Sequence, residues 1–213
     1  MSRDPASAEF PQPPERFARL LASARAKAIR GASAHQLARY LSELDAWRQR
    51  INLTGRLTPE ELVAHALESL PAIELIADGE SVIDIGSGAG FPALPLAILR
   101  PEAAFTLVEP TSKKAAFLRH AARALPLPNV TVRAARLQDV HDVSFDVATT
   151  RAVGSLGALL GPAAFLRPGG RLLAWTTEPD ALAGELSVLR LTKTLPIAGS
   201  RAKVVAVFEK PGP

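Results

Sequence analysis

Two segments within the first 80 residues carry hydrophobic side chains at helical spacing, with polar positions between them. One run follows Ser33, which has Gln36 three residues later in the form of a capping box. Another follows Thr58, with Pro59 at the first helical position and Glu61 placed to complete a second box. The apolar positions are Leu37, Tyr40, Leu41, Leu44, Trp47 and Ile51 in the first run, and Leu62, Ala66, Leu70 and Ile73 in the second. We therefore predict helices that cap whatever follows.

Beyond Gly79 short apolar runs alternate with helical segments. In chain order they are SVIDI, FPALPLAIL, AFTLVE, SKKAAFLRHAARAL, NVTVR, FDVATT, SLGALLGPAAFL and RLLAW. This alternation is typical of a doubly wound, mainly parallel α/β sheet. Two more strand candidates lie near Leu186–Leu191 and Lys203–Phe208, and the Pro196 and Gly199 between them favour antiparallel pairing.

The length of the chain suits one compact α/β domain, since 213 residues can bury a sizeable core. Residues 1–14 contain four prolines and little periodic hydrophobicity, so we predict a disordered arm. We expect a helical cap over 15–78 and a ligand-binding core over 79–213.

The segment VIDIGSGAGFP predicts a ligand-binding loop where the first strand turns into its helix. Gly86, Gly88 and Gly90 allow a ligand to approach the backbone without obstruction by a Cβ atom. A dinucleotide fingerprint requires glycine where Phe91 stands, which weakens a pyrophosphate interpretation. Asp84, two residues before the first glycine, adds negative charge that suits an amine or sulfonium ligand.

Glu109 ends the next predicted strand, 23 residues after Gly86. A carboxylate at this position can accept hydrogen bonds from both hydroxyls of a ribose. The alternative is an ordinary strand-to-helix turn followed by a solvated carboxylate at the strand end.

The charge of the chain is weakly basic, with a net charge of +4 and a pI near 9.8. This balance mildly favours a polyanionic partner, but arginine-rich composition alone produces the same pI. The chain contains no cysteine, which excludes disulfides, thiolate zinc sites and thiol nucleophiles.

The four histidines, His35, His65, His120 and His141, are scattered, so we predict no metal site. No apolar stretch approaches the roughly 20 residues that span a bilayer, and no signal peptide is recognisable. We expect a cytoplasmic protein without membrane contact, and a monomer.

Taken in order, these motifs resemble the bacterial small-subunit ribosomal RNA guanine-N7 methyltransferases, also called the glucose-inhibited division protein B family. The resemblance covers roughly residues 35–209. It depends on NLT at Asn52, HALESL at His65, DIGSGAGFP, Glu109 with the Lys113 and Lys114 that follow it, and TRAV around Arg151. The family implies a seven-stranded, Rossmann-like class I methyltransferase fold, S-adenosylmethionine as cofactor, and 16S ribosomal RNA or the small subunit as partner.

Site residues follow from the same resemblance. It implies that Gly86 and Phe91 line the cofactor site, that Glu109 holds the ribose, and that Leu137 and Gln138 flank the adenine. Arg151 would lie beside cofactor and substrate, and His65 near the mouth of the site. RNA contacts are expected from Asn52, Lys113 and Lys114.

Four of these side chains have ordinary alternatives. Arg151 could be a surface residue paired with a carboxylate, and His65 a hydrogen-bonded packing residue. Lys113 and Lys114 open a helix, where positive charge opposes the helix dipole and suggests an external anion such as phosphate. They could equally be two solvated lysines.

The chemistry that the sequence lacks agrees with guanine N7 as the target. N7 carries no proton, so the site needs no general base, and Arg151 and His65 would act by positioning. No NPPY or DPPY segment follows the fourth strand to hold an exocyclic amine. The alternatives are a methyltransferase for a small molecule or protein, a nicotinamide-dependent oxidoreductase, and a non-catalytic RNA-binding assembly factor. We also expect the exposed arginines Arg16, Arg19, Arg25, Arg30 and Arg48 to contribute to an RNA surface.

Overall fold

A computed structural model describes residues 15–24, 29, 31–140, 144–151 and 165–212. Its α-helices are α1 (Glu15–Ser23), α2 (Gly31–Arg48), α3 (Pro59–Leu67), α4 (Ala93–Leu99), α5 (Ser112–Ala124) and α6 (Pro179–Glu185). Its strands are β1 (Ser81–Ile85), β2 (Ala104–Val108), β3 (Val130–Arg133), β4 (Phe145–Arg151), β5 (Leu166–Thr176), β6 (Arg190–Pro196) and β7 (Val204–Glu209). Short 3-10 turns cover Leu70–Leu75 and Leu137–Asp139.

The strands of the described residues form one seven-stranded sheet in the order β3-β2-β1-β4-β5-β7-β6. Strands β1 to β5 are parallel, whereas β7 runs antiparallel to both β5 and β6. The predicted mainly parallel α/β sheet and its antiparallel last pair are therefore confirmed. Because the chain leaves β1 toward one edge and returns at β4 toward the other, the carboxyl ends of β1 and β4 flank a crevice, the usual ligand site of such sheets.

The central strands of the sheet are covered on both faces, which explains why β1 in particular is a nearly continuous apolar run. Val82 of β1 belongs to a buried cluster with Leu94 of α4 and Phe117 of α5. The alternating residues Ile83 and Ile85 belong to a second buried cluster on the opposite face.

The N-terminal helices share the first of these clusters with the sheet. Phe17 of α1, Leu41 of α2 and Leu62 of α3 are buried in the cluster that contains Val82. These helices therefore pack over the same face of the sheet as α4 and α5. The predicted arm over 1–14 lies outside the described residues, and the boundary at residue 79 stays a prediction.

Of the two predicted capping boxes, one is confirmed and the other is wrong. The Thr58 hydroxyl accepts from the Glu61 amide over 3.2 Å, and the Glu61 carboxylate accepts from the Thr58 amide over 2.6 Å. Helix α2 instead begins at Gly31, before Ser33, so the predicted cap lies inside the helix. Gln36 donates its side-chain amide to the carbonyl of Leu125.

The sixth strand lies later than predicted. Residues 186–189 form a turn after α6, in which Leu186 and Leu189 are buried against the second cluster. Their apolar spacing serves this packing rather than a strand, and the strand itself runs from Arg190 to Pro196. Proline is tolerated there because β6 is an edge strand. The predicted helical segment SLGALLGPAAFL falls almost wholly on residues 152–164, outside the described ranges.

Candidate active site

The glycine-rich loop after β1 turns sharply at the carboxyl edge of the sheet. Gly86, Gly88 and Gly90 have φ angles of 70°, 53° and 96°, in the left-handed region that favours glycine. The amides of Gly86 and Ser87 donate to the carbonyl of Val108 over 3.0 and 3.1 Å. The glycines are thus required by the path of the loop as well as by access for a ligand.

Tyr40 of α2 supports this loop from the side of the N-terminal helices. Its hydroxyl donates to the carbonyl of Ala89 over 2.7 Å, and its ring packs edge-on against Phe91 at 5.5 Å between centroids. A Cβ atom on Gly90 would lie 3.1 Å from the Tyr40 hydroxyl and 2.6 Å from Leu94 Cδ1. Helix and loop therefore fit closely, and burial raises the pKa of Tyr40, which stays a neutral donor.

Asp84 is buried at the end of β1 with one oxygen satisfied. Its Oδ1 accepts from the Thr149 hydroxyl of β4 over 2.6 Å. Its Oδ2 is buried without a hydrogen-bond partner among the described residues. Burial raises the pKa of Asp84 to about 6, although Thr149 and Ser87 lower it. An anion with an unused, buried oxygen suits a cationic ligand group.

Glu109 ties the glycine loop to the end of β2. Its side chain accepts from the amide of Gly88 over 2.9 Å and from the amide of Thr111 over 2.8 Å. The residue is 4% exposed, so the alternative of a solvated carboxylate at the strand end is wrong. Each oxygen retains a lone pair that could accept from a ligand hydroxyl.

Arg151, at the end of β4, is half-buried above the aromatic ring of Phe91. Its guanidinium carbon lies 5.7 Å from the ring centroid, a cation–π distance. It pairs with Glu68 over 2.7 Å and donates to the carbonyl of His65 over 3.2 Å. The predicted pairing with a carboxylate is present, but only 15% of the side chain is exposed, so Arg151 is not a surface residue.

A cavity of about 300 Å³ lies between the glycine loop, α3 and the end of β4. Its lining consists of Leu53, Thr54, Gly55, Leu57, His65, Gly86, Ser87, Gly88, Ala89, Phe91 and Arg151. Residues predicted from the glycine loop, from HALESL and from TRAV thus meet at one site. His65 is half-buried there, with its ring 6.0 Å from that of Phe91.

Other predicted residues lie outside this lining. Asn52 is exposed beside Leu53, and Lys113 is exposed in the first turn of α5, where Lys114 is half-buried. Leu137 and Gln138 form the turn that follows β3, at the same edge of the sheet as Glu109.

Sequence reasoning missed Tyr40 as a support for the loop and Thr149 as the partner of Asp84. The available signal for Thr149 was its place among the buried positions of the strand FDVATTR, because a buried hydroxyl group needs a hydrogen-bond partner. Tyr40 gave no such signal, because its position on the apolar side of a helix is typical of any residue of the hydrophobic core.

The prediction that these arginines are exposed is wrong for Arg48, and their contribution to an RNA surface stays a prediction. Arg48 pairs with Asp45 and exposes only 13% of its side chain. Arg16 and Arg19 are exposed but lie near Glu60 and Glu15, respectively. Arg25 and Arg30 lie outside the described residues.

Neither a metal cluster nor a membrane span is found in the described ranges. No group of three or more His, Asp or Glu side chains there could hold a metal ion. None of the described helices is long and apolar enough to cross a bilayer.

Comparison with known proteins gives consistent similarities. Residues 33–184 match the GidB family, described as rRNA small subunit methyltransferase G. The ribosomal RNA small subunit methyltransferase G of Roseiflexus castenholzii is 44% identical over 185 residues, which cover 83% of this chain and 77% of that protein. The protein of the same name from Syntrophotalea carbinolica is 37% identical over 191 residues, which cover 81% of this chain and 88% of that protein.

Structural comparison agrees with the predicted fold. A SAM-dependent methyltransferase from Aquifex aeolicus matches with a TM-score of 0.58 and 15% identity, over 79% of this chain and 97% of that one. At this identity the likeness concerns the fold alone, and with the strand order it confirms the predicted class I methyltransferase sheet.

Proposed function

The chain belongs to the rRNA small subunit methyltransferase G family, and on that premise we propose that it transfers a methyl group from S-adenosylmethionine to N7 of a guanine in 16S ribosomal RNA. The observation that carries this proposal is that Gly86, Phe91, His65 and Arg151 line the same cavity. A ribosomal substrate would place the protein in the cytoplasm, with the helices over 15–78 as a cap and residues 79–213 as the catalytic core.

The residues present fit the proposed cofactor, which supplies a methyl group activated on a sulfonium. The unpartnered Oδ2 of Asp84 complements a cationic amine or sulfonium, directly or through water. Glu109 can accept from ribose hydroxyls. Gly86 and Gly88 leave room for the backbone to approach a ligand, and Leu137 and Gln138 would flank the adenine.

The residues of the cavity would orient the guanine rather than remove a proton from it. Arginine commonly binds guanine through O6 and N7 together, but N7 must keep its lone pair free to attack. The guanidinium of Arg151 would therefore contact O6 or a neighbouring phosphate, held in place by Phe91 and His65. Asn52, Lys113 and Lys114 would contact the RNA outside the cavity.

Removing the Tyr40 hydroxyl should weaken cofactor binding. In Tyr40→Phe the Ala89 carbonyl loses its 2.7 Å donor, which costs about 1–3 kcal/mol and loosens the loop. We expect the Kd for S-adenosylmethionine, measured by calorimetry, to rise about 10-fold. Thr192→Val is the control, because it removes from β6, far from the loop, a hydroxyl that donates to the Val207 carbonyl of β7. A wild-type Kd in Tyr40→Phe would show that the loop does not depend on this bond.

The raised pKa of Asp84 predicts a specific pH dependence. The folded protein holds this proton to about pH 6, whereas the unfolded chain releases it near 3.8, so the residue destabilises the fold progressively between these values and fully above them. We compare the free energies of unfolding of Asp84→Asn and wild type, measured in urea without ligand. The value for Asp84→Asn minus the value for wild type should increase by about 2 kcal/mol as the pH rises from 4.5 to 7.5.

Asp146→Asn provides a control of opposite sign. Burial tends to raise the pKa of Asp146, but hydrogen bonds from Ser81 and the charge of Arg167 lower it overall, so its ionised form stabilises the fold and this benefit is lost as the pH falls. Relative to wild type, Asp146→Asn should thus lose more free energy of unfolding at pH 7.5 than at acid pH. A pH-independent difference between Asp84→Asn and wild type would contradict the assigned burial of an ionisable Asp84.

The proposal is tested by incubating the protein with methyl-labelled S-adenosylmethionine and small ribosomal subunits that lack their native modification, beside large subunits. We expect label in the RNA of small subunits and none with Gly86→Asp. Label in protein or in small molecules would favour the other methyltransferase classes. RNA binding without label would favour the non-catalytic assembly factor.

A further inference from the structure

Glu68 joins three parts of the chain at the wall of the cavity. It follows the last residue of α3 as the C-terminal cap of that helix. Its carboxylate accepts from Arg151 at the end of β4 over 2.7 Å, and from Lys203, just before β7, over 2.9 Å. Its Oε2 also lies 3.2 Å from Nδ1 of His65. One carboxylate thus contacts side chains from helix α3, from the end of β4 and from the residue before β7.

The main chain of Glu68 is fixed as well. Its carbonyl accepts from the indole nitrogen of Trp175, at the end of β5, over 2.7 Å. Only 12% of the side chain is exposed. Neither the carboxylate nor the main-chain carbonyl of Glu68 can move without breaking contacts to the sheet. Glu68 therefore holds a fixed position relative to its partners.

The orientation of the Arg151 side chain depends on Glu68. Among the described residues, Glu68 is the only carboxylate within ion-pair distance of its guanidinium. The remaining contacts, with His65 and the ring of Phe91, supply no opposite charge. A buried guanidinium left without its carboxylate is costly and tends to move toward water.

We propose that Glu68 is a positioning residue for methyl transfer, whose carboxylate holds Arg151 above Phe91 and is itself anchored by Lys203. The inference rests on the proposed function, because it assigns a step to Arg151. It does not extend to cofactor binding: the contacts that shape the glycine loop come from Val108, Glu109 and Tyr40, none of which contacts Glu68 in the described residues.

The charge state of Glu68 is consistent with this role. Burial raises its pKa, but hydrogen bonds from His65 and Lys203 and the charge of Arg151 outweigh this effect and lower the pKa to about 2. The carboxylate therefore stays ionised at every pH at which the protein would work.

The test compares Glu68→Gln, Glu68→Asp and Lys203→Met with wild type, using labelled S-adenosylmethionine and small subunits. Glu68→Gln keeps the shape but loses the charge, so we expect kcat to fall 10- to 30-fold while the Kd for S-adenosylmethionine stays within 3-fold. Glu68→Asp, which restores the charge on a shorter side chain, should recover part of the lost kcat.

Lys203→Met keeps the proposal testable if Glu68→Gln does not fold, because Lys203 is 45% exposed. We expect kcat to fall about 3-fold. Arg201→Met is the matched control: it removes an exposed positive charge two residues earlier that makes no described contact with Glu68, and it should retain the wild-type kcat.

Three results would overturn the proposal while wild type remains active. They are a wild-type kcat in Glu68→Gln or in Lys203→Met, equal loss in Lys203→Met and Arg201→Met, and a Kd that rises in Glu68→Gln as much as kcat falls. Inactivity of the wild-type protein itself would instead contradict the proposed function, which separates the two failures.

Discussion

Replacing Arg151 with methionine is expected to lower the rate of methyl transfer to small-subunit RNA about 100-fold, the cost of misplacing a reacting group by about 1 Å. The methionine side chain has similar length but neither charge nor hydrogen-bond donors. The cavity wall above Phe91 would lose its only described cation, and the guanine its orienting contact. We expect a smaller effect, under about 10-fold, on the Kd for S-adenosylmethionine.

The appropriate control is Arg171→Met. Arg171 is similarly buried, with 22% of its side chain exposed, and pairs with Glu80 over 2.6 Å, but it does not line the cavity. Single-turnover rates of both variants, with their thermal unfolding, separate loss of function from loss of stability. Equal rates in the two variants would mean that Arg151 has no special role in the reaction.

The second large effect is expected in Glu109→Gln. A carboxylate that accepts two ribose hydroxyls forms charge-assisted hydrogen bonds of about 1.5–3 kcal/mol each, so its neutral amide should raise the Kd for S-adenosylmethionine about 100-fold. The amide also places a donor beside the amides of Gly88 and Thr111, where the structure provides two donors already. Calorimetry with S-adenosylmethionine measures the change.

Glu43→Gln is matched to this variant, since Glu43 is another largely buried carboxylate, 2.8 Å from Nε2 of His120 and remote from the cavity. Its cofactor affinity should equal that of wild type. If Glu109→Gln binds as tightly as Glu43→Gln, the ribose is held elsewhere.

Features encoded by neighbouring residues could be predicted from the sequence. The glycine loop, the Glu109 that ends the next strand and the Thr58 capping box each depend on residues within one or two elements. The strands β1 to β5 were recognisable because a parallel sheet covered on both faces requires continuous apolar runs.

Features that depend on contacts between residues far apart in the sequence could not be predicted. The bond from Tyr40 to Ala89 joins residues 49 apart, and that from Lys203 to Glu68 joins residues 135 apart. Nothing local distinguishes such a tyrosine or lysine from a core or surface residue. For the same reason Leu186 and Leu189 were misread as a strand, since burial in a turn and burial in a sheet give similar local patterns.

The most direct test of the central claim is nucleoside analysis of small-subunit RNA after reaction with methyl-labelled S-adenosylmethionine, with wild type beside Arg151→Met. We predict that the label from wild type is recovered in 7-methylguanosine and is reduced about 100-fold with the variant. Label in any other nucleoside, or none in RNA at all, would contradict the assignment of this cavity to guanine N7 methylation.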